Sequence, residues 1–464
     1  MFKPLALLLT LGLFCHDALA EQSAITVDAK ERQAVVEKVS TLMINNYVSE
    51  AVARETAAHI QKQLKNGAYD NITQGEAFAA KLTEDVQSIN HDKHMRIRVQ
   101  HPRPAPASSH AKTEPESPLV HVFRNQQHNR QRNNGHQKVE VLDGNVGYID
   151  FRMFGGSDAA KQKAATALAY LEDTDAMIID LRKNGGGSPD TVRFICSYFF
   201  GEKTHLNSLY WRQGNRTEEF WTLDEIPGKR RPDVPLYILT SDYTFSGAEE
   251  FSYNMQTRKR AILVGETTGG GANPGGRMPI NKHFNINMPR GMAINPVTGT
   301  NWEGVGVKPE VAVDESQALD KAYELAKVAA QQFRQKNLDK QIKNIDELEK
   351  QLAKAARLVK DKQADKAQNL INRAMSKAMD SGLGGENEVN MLGYSFLEQQ
   401  SNPAMAVLVF SFNTLRFPDS SNAFDSLGEA YLMAGNDKLA KKSYLKSLAL
   451  DPQNDNAKSM LKGL

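Results

Sequence analysis

The sequence predicts an α/β core, a mixed sheet with crossover helices, set between an N-terminal helical domain and an all-α C-terminal tail. Three observations predict it. Between residues 139 and 315, short apolar runs alternate with amphipathic stretches, the order that strands joined by right-handed crossover helices produce. Before residue 100 and after residue 316, apolar residues recur at helical spacing. The last segment also superposes on itself at a shift of 34 residues, which marks a helical repeat.

A chain of 464 residues is long enough for several domains. Its 57 basic and 55 acidic residues nearly cancel, so nothing global points to nucleic acid or to an anionic membrane. The opening "MFKPLALLLTLGLFCHDALA" has one Lys, an apolar run from Leu5 to Phe14, and an A-x-A site ending at Ala20. It reads as a secretory signal peptide over 1–20, and the run is too short to span a bilayer. The expectation is an exported protein without a stable membrane anchor. Removal of Cys15 with the signal leaves Cys196, read as a buried structural thiol.

Residues 21–100 read as helical: Val35, Val36, Val39, Leu42 and Met43 share one face, and Phe78, Leu82 and Val86 follow at four-residue spacing. Residues 101–138 are polar and Pro-containing and read as a linker. Their histidines, His121, His128 and His136, read as solvated. "KVEVL-DGN-VGYIDF" is a hairpin, and "AMIIDLR" and "LYILT" are fully apolar strands suited to the middle of a parallel sheet. "NGGGSPD" turns the first of these into a helix with Pro189 at its first position. "LYWRQGNRTEEFW" is a second hairpin, and "AILVGE" a further strand.

Residues 316–386 form a helical connector, and 387–464 carry the repeat. Ala406, Phe410 and Pro418 fall on Ala440, Tyr444 and Pro452. This is the tetratricopeptide period and pattern, with Leu392-Gly393 one residue out of register.

The chemistry centres on "TFSGAEEF". Ser246 stands where a strand ends and a helix begins. Ser246 with Glu249 is S-x-x-E, a capping box. The same position allows a nucleophile, because the free amide of Gly247 at the helix start could bind an oxyanion. Gly185, Gly186 and Gly187 in "DLRKNGGG" could present a second backbone donor. From the residues alone both readings stay open. His91 and His94 could likewise bind a metal, but no further ligand cluster accompanies them.

"DLRKNGGG", "TSDYTFSGAEEF", "VGETTGGG" and "EGVGVKPEV", in that order, closely resemble the tail-specific, or C-terminal-processing, serine peptidases. "LTEDVQSINHDKHMRIRV" resembles the subgroup of interphotoreceptor retinoid-binding proteins and the tricorn core. The resemblance covers about residues 30 to 315 and implies a crotonase-like core. It implies Ser246 as nucleophile and an oxyanion hole from Gly247 and Gly186, or a neighbouring glycine. Many members pair Ser with a Lys, but the matching position here is Gly271. The subgroup implies His94 as general base and Glu303 as its acidic partner. No metal or organic cofactor is implied. The expected partners are protein or peptide substrates, with a further protein recruited by the repeat tail. The alternatives are a non-catalytic module for an apolar ligand, and an interaction scaffold.

Overall fold

The computed structural model describes residues 25–100 and 117–464. The expected signal peptide, 1–20, lies outside them. The described chain forms two units, divided between Gln331 and Gln332. No helix among the described residues is long and apolar enough to cross a membrane.

The first unit opens with α1 (Ala29–Asn46), α2 (Glu50–Lys65) and α3 (Gly75–Asn90), followed by β1 (Arg96–Val99). The stretch read as linker contains α4 (Pro118–Gln131), capped by Ser117. Ser117 and Pro118 supply an ordinary helix start, which the polar composition of the segment concealed. His136 also departs from expectation: it is buried and packs its ring 4.7 Å from that of Phe151. Burial pushes its imidazole down to about 4.

The chain then forms β2 (His136–Leu142), β3 (Val146–Phe151), α5 (Asp158–Tyr170), β4 (Ala176–Asp180), α6 (Pro189–Cys196), β5 (His205–Trp211) and β6 (Arg216–Trp221). After these come β7 (Leu236–Thr240), α7 (Gly247–Thr257), β8 (Ile262–Gly265), β9 (Gly275–Pro279), β10 (Phe284–Pro289), β11 (Gly291–Ile294) and β12 (Val311–Ala312). Cys196 is buried.

The main sheet has the order β12-β8-β7-β4-β3-β2, parallel except for the β2–β3 hairpin. Every residue of β4 and β7 is buried, as the unbroken apolar runs require of central strands covered on both faces. Side-chain alternation sends Ile149, Met177, Ile179, Leu236, Ile238 and Leu263 into the core shared with α5, α6 and α7. Tyr148, Ile178, Tyr237, Leu239 and Val264 point to the other face. There they meet Ala318, Ala322, Ala326 and Ala330, a four-residue stripe at the start of α8 (Glu315–Lys360). The connector expected from 316 therefore begins as a cover for the core sheet.

A second sheet, β11-β5-β6, is antiparallel. A third, β1-β10-β9, joins the N-terminal region to residues 275–289. One face of this third sheet, with Ile97, Phe284, Ile286 and Met288, shares a core with α1, α2 and α3. The N-terminal domain is thus helical with one strand of its own, and that strand is paired far along the chain. Tyr69, Phe78 and Phe284 stack edge to face through this core.

The second unit is all helical: the remainder of α8, then α9 (Ala364–Asp380), α10 (Glu386–Tyr394), α11 (Pro403–Arg416), α12 (Ser421–Met433), α13 (Asp437–Leu450) and α14 (Asp455–Leu461). Two contacts recur in it. A side chain on Gly393 would come within 2.4 Å of the Phe410 ring, and one on Gly428 within 2.9 Å of the Tyr444 ring. Ala406 and Ala440 are both fully buried. The first contact spans one residue more than the second, and a π-helical turn at Ser395–Gln399 lies between Gly393 and Phe410. A π turn absorbs one extra residue, so the same contact survives the slip seen in the sequence.

Gly393→Ala should therefore overpack the α10–α11 contact, at a cost of about 1–3 kcal/mol. Faster amide hydrogen exchange in α10 and α11, with exchange in the first unit unchanged, is the expected readout.

Candidate active site

Ser246 lies between the end of β7 and Gly247, the first residue of α7. Its backbone is at φ 56°, ψ −119°. A residue with a side chain rarely adopts this conformation, which costs about 1–3 kcal/mol. A simple N-cap residue sits in the extended region instead, so capping alone does not account for this backbone. The turn is held on several sides. The Ser246 amide donates to Glu249 Oε2 at 2.8 Å, and the Phe245 amide to the Asn184 carbonyl at 3.1 Å. Thr244 Oγ1 donates to the Leu181 carbonyl at 2.9 Å.

The glycine run after β4 closes against this turn. Gly186, at φ 100°, passes so near that a side chain there would fall 2.9 Å from Ser246 Cβ and 2.8 Å from the Gly247 nitrogen. The Gly186 amide itself donates to Asn184 Oδ1 at 2.8 Å. The oxyanion donor expected of Gly186 is thus already committed, because the loop needs that bond to hold its own shape. The Gly187 nitrogen lies 3.0 Å from where a Gly247 side chain would start. The Gly247 amide is at the open N-terminus of α7.

His94 follows α3 and stands two residues before β1. Its ring packs against Phe245, 4.6 Å between centroids. The His94 amide donates to Asp92 Oδ1 at 2.9 Å. Asp92 is fully buried, and its Oδ2 accepts from Tyr47 Oη at 3.2 Å and from Asn273 Nδ2 at 2.9 Å. Glu303 Oε2 accepts from the Ala272 amide at 2.6 Å. Among the described residues, neither His94 Nδ1 nor Glu303 Oε1, both buried, has a hydrogen-bond partner. Asp92, His94 and Glu303 bring their side-chain donor atoms within 4.8 Å of one another. That spacing could hold a divalent cation, or a proton shared between the imidazole and a carboxylate. Burial, with the Arg96 charge second, pushes the His94 imidazole down to about 4. Burial raises Asp92 and Glu303, and Asp92 raises Glu303 further. The imidazole is therefore neutral at pH 7.

Gly271 shows why no lysine stands there. A side chain at 271 would fall 2.2 Å from Phe245 Cζ and 2.8 Å from His94 Cε1. The two rings fill the space such a side chain would enter. The Gly271 amide donates to Glu249 Oε2 at 2.8 Å, and its carbonyl accepts from Trp302 Nε1 at 2.8 Å. Glu249 is fully buried and also accepts from the Gly270 amide at 2.6 Å and Thr268 Oγ1 at 2.5 Å. Burial pushes its carboxyl up, against the pull of these donors.

A cleft of about 490 Å³ opens beside these groups, bordered by His94, Gly185, Tyr243, Phe245 and Gly269. Of the residues singled out from the sequence, His94 and Glu303 meet at one cluster, while Ser246, Gly247 and Gly186 meet at the turn. The loop 268–273 joins the two. Asp92, Tyr47 and Asn273 were not foreseen. Asp92 could have been, from its place in "HDKH" beside His94; Tyr47 and Asn273 carry no local signal.

The chain matches the description "Peptidase family S41" over residues 145–313. Over residues 15–143 it matches the N-terminal domain of peptidase S41 in eukaryotic IRBP. It is 35% identical over 127 residues to a carboxyl-terminal-processing protease of Synechocystis sp., covering 27% of this chain and 28% of that protein. It is 24% identical over 245 residues to carboxy-terminal processing protease CtpB of Bacillus subtilis, covering 52% of this chain and 47% of that one. Each alignment spans less than half of the relative. The structure of a putative peptidase from Parabacteroides merdae superposes with a TM-score of 0.46 at 16% identity, covering 64% of this chain and 96% of that chain. The two family matches together take in well over half of the sequence, and the chain belongs to peptidase family S41.

Proposed function

We propose that this protein is an exported serine peptidase in which Ser246 is the nucleophile, His94 the general base and Glu303 the acidic support. The observation that carries the reading is the strained turn at Ser246, combined with a neutral, buried imidazole in the space that a side chain at 271 would need. In this reading Ser246 Oγ attacks the peptide carbonyl carbon and its proton passes to His94 Nε2. The oxyanion is met by the Gly247 amide and by a second amide of the glycine run, for which Gly187 is better placed than Gly186. The imidazolium then protonates the leaving amine, and water releases the acyl group by the reverse proton path. Asp92, whose Oδ1 lies 3.8 Å from Nδ1, and Glu303, in the same cluster, stabilise the imidazolium as it forms.

The tail reads as a protein-recruiting repeat of the tetratricopeptide kind. The recurrent Gly393–Phe410 and Gly428–Tyr444 contacts support that reading. Export follows from the N-terminal sequence, and protein or peptide substrates follow from the family.

Ser246→Ala should abolish peptide cleavage and covalent labelling by a fluorophosphonate, while changing stability by no more than about 0.5–2 kcal/mol. Labelling of the folded variant at the wild-type rate would end the catalytic assignment. The base must be neutral to act, so activity rises as pH climbs through the His94 pKa. Because that pKa is lowered to about 4, the His94 limb of kcat/KM should appear only on strong acidification, while Glu303, pushed up to about 8 by burial and by Asp92, gains its supporting charge above neutrality, so kcat/KM should rise again there. A limb centred near the ordinary histidine value of about 6.5 would show that the imidazole is not buried in the working enzyme. A chain ending at Gln335 retains the alanine stripe of α8. It should cleave a short unstructured peptide at a rate comparable to the full chain, which a side-by-side assay would check.

A further inference from the structure

One wall of the cleft is the outer face of the β1-β10-β9 sheet. Its register puts Arg96 opposite Asn287 and Arg98 opposite Asn285. On the other side of β10, Asn287 is opposite Arg277. Side chains alternate across a sheet, so Arg96, Arg98 and Arg277 share the face opposite the one where Ile97 and Ile286 enter the N-terminal core. All three arginines are exposed, and all three border the cleft, as does Lys93. Lys93 Nζ is bonded to the Gly269 carbonyl at 2.7 Å. Asp242 is the acidic residue among those bordering the same cleft. Among the described residues, no carboxylate lies within ion-pair distance of Arg96, Arg98 or Arg277.

β1 and β9 are edge strands, and isolated charges on an edge discourage stray pairing. Edge protection does not require that every charge have one sign, or that both edges send theirs toward the same cleft. Like charges so arranged repel one another and focus a positive potential into the groove. Arginine is the side chain best matched to a carboxylate, which it meets through two parallel N–H donors. The spacing suits an extended peptide. Arg98 lies two residues beyond Arg96, about 7 Å along the strand, and Arg277 lies two strands away, about 10 Å across. The group nearest the base is also electrically in touch with it, since the Arg96 charge acts on His94.

We infer that this arginine face selects substrates with acidic side chains close to the scissile bond, so that the peptidase acts on acidic segments of proteins. The inference rests on the peptidase reading of Ser246, and it is tested in a way that keeps the two apart. Blocked peptides, acetylated and amidated, would be compared in three forms with Glu, Gln or Lys flanking the same central residues. The full-length protein should cleave the Glu form about tenfold faster in kcat/KM than the Lys form, with Gln between them. That advantage should shrink as salt is raised from 0.1 M to 1 M, where the screening length falls from about 10 Å to about 3 Å.

The double variant Arg98→Glu with Arg277→Glu changes two exposed side chains, and its fold is checked by circular dichroism. The Glu-to-Lys ratio should invert in it. An unchanged ratio in that variant, or a ratio near one in the wild type, overturns the inference. So does a preference that appears only when the peptide ends in a free carboxylate, since the face would then be reading a chain terminus. Fluorescence anisotropy of the same peptides, dye-labelled, on Ser246→Ala measures the charge preference without turnover. If no peptide is cleaved but the Glu form binds more tightly, the peptidase reading fails and the acidic selectivity stands. If peptides are cleaved and bound without regard to charge, the selectivity fails alone.

Discussion

The site depends on one buried carboxylate. Glu249 projects from the first turn of α7 and takes hydrogen bonds from the amides of Ser246, Gly270 and Gly271 and from Thr268 Oγ1. These donors belong to two segments, the turn after β7 and the loop after β8, which also meet where the Gly269 amide donates to the Thr244 carbonyl at 2.9 Å. Closing both on one side chain fixes the strained backbone of Ser246 and the position of Gly271 together. A neutral side chain of the same size could not satisfy the same donors equally. Leaving buried donors unpaired costs about 1–3 kcal/mol for each one lost. The capping-box pattern in the sequence is real, since Glu249 does bond back to the Ser246 amide, but most of what Glu249 holds is the second loop.

The loop after β8 then carries the arrangement on to His94. Ala272 holds Glu303 and Asn273 holds Asp92; Asp92 Oδ1 lies 3.8 Å from His94 Nδ1, and Glu303 belongs to the same cluster. Burial raises Asp92 and Glu303, Asp92 adds to the rise at Glu303, and burial lowers His94. The result is a neutral imidazole packed among buried carboxyl groups. Gly271 belongs to the same logic. Lysine and histidine are alternative ways to fill one space, and here Phe245 and His94 occupy it.

Distant packing supports this geometry without touching it. The central strands β4 and β7 deliver the glycine run and the Ser246 turn from adjacent positions in the main sheet. Each face of that sheet is sealed by a different partner, one by α5, α6 and α7 and the other by the alanine stripe of α8. Four alanines at four-residue spacing let the helix lie close on the strands. In the second unit, glycine allows aromatic rings from the next helix to reach the backbone, and a π turn restores the register where one residue intrudes.

What the sequence determined by itself is whatever depends on neighbours along the chain. The apolar runs at 176–180 and 236–240 announced buried strands, Asp143-Gly144-Asn145 announced a hairpin, and Ser246 announced a strand-to-helix junction. The four ordered motifs announced the family. Pairing across the chain was decided only by the tertiary structure. The backbone of Ser246 is strained because three separate segments hold it, and a serine carries no local mark of positive φ. The Gly186 amide is spent on Asn184 because of the loop's closure, although its neighbours in sequence are equally plain glycines. Asp92 becomes part of the surroundings of His94 only when the end of α1 and the loop after β8 reach it through Tyr47 and Asn273. Arg96, Arg98 and Arg277 form one face because β1 and β9 pair with opposite edges of β10. Strand register is set by which side chains can be buried together, and that quantity exists only once segments nearly two hundred residues apart have met.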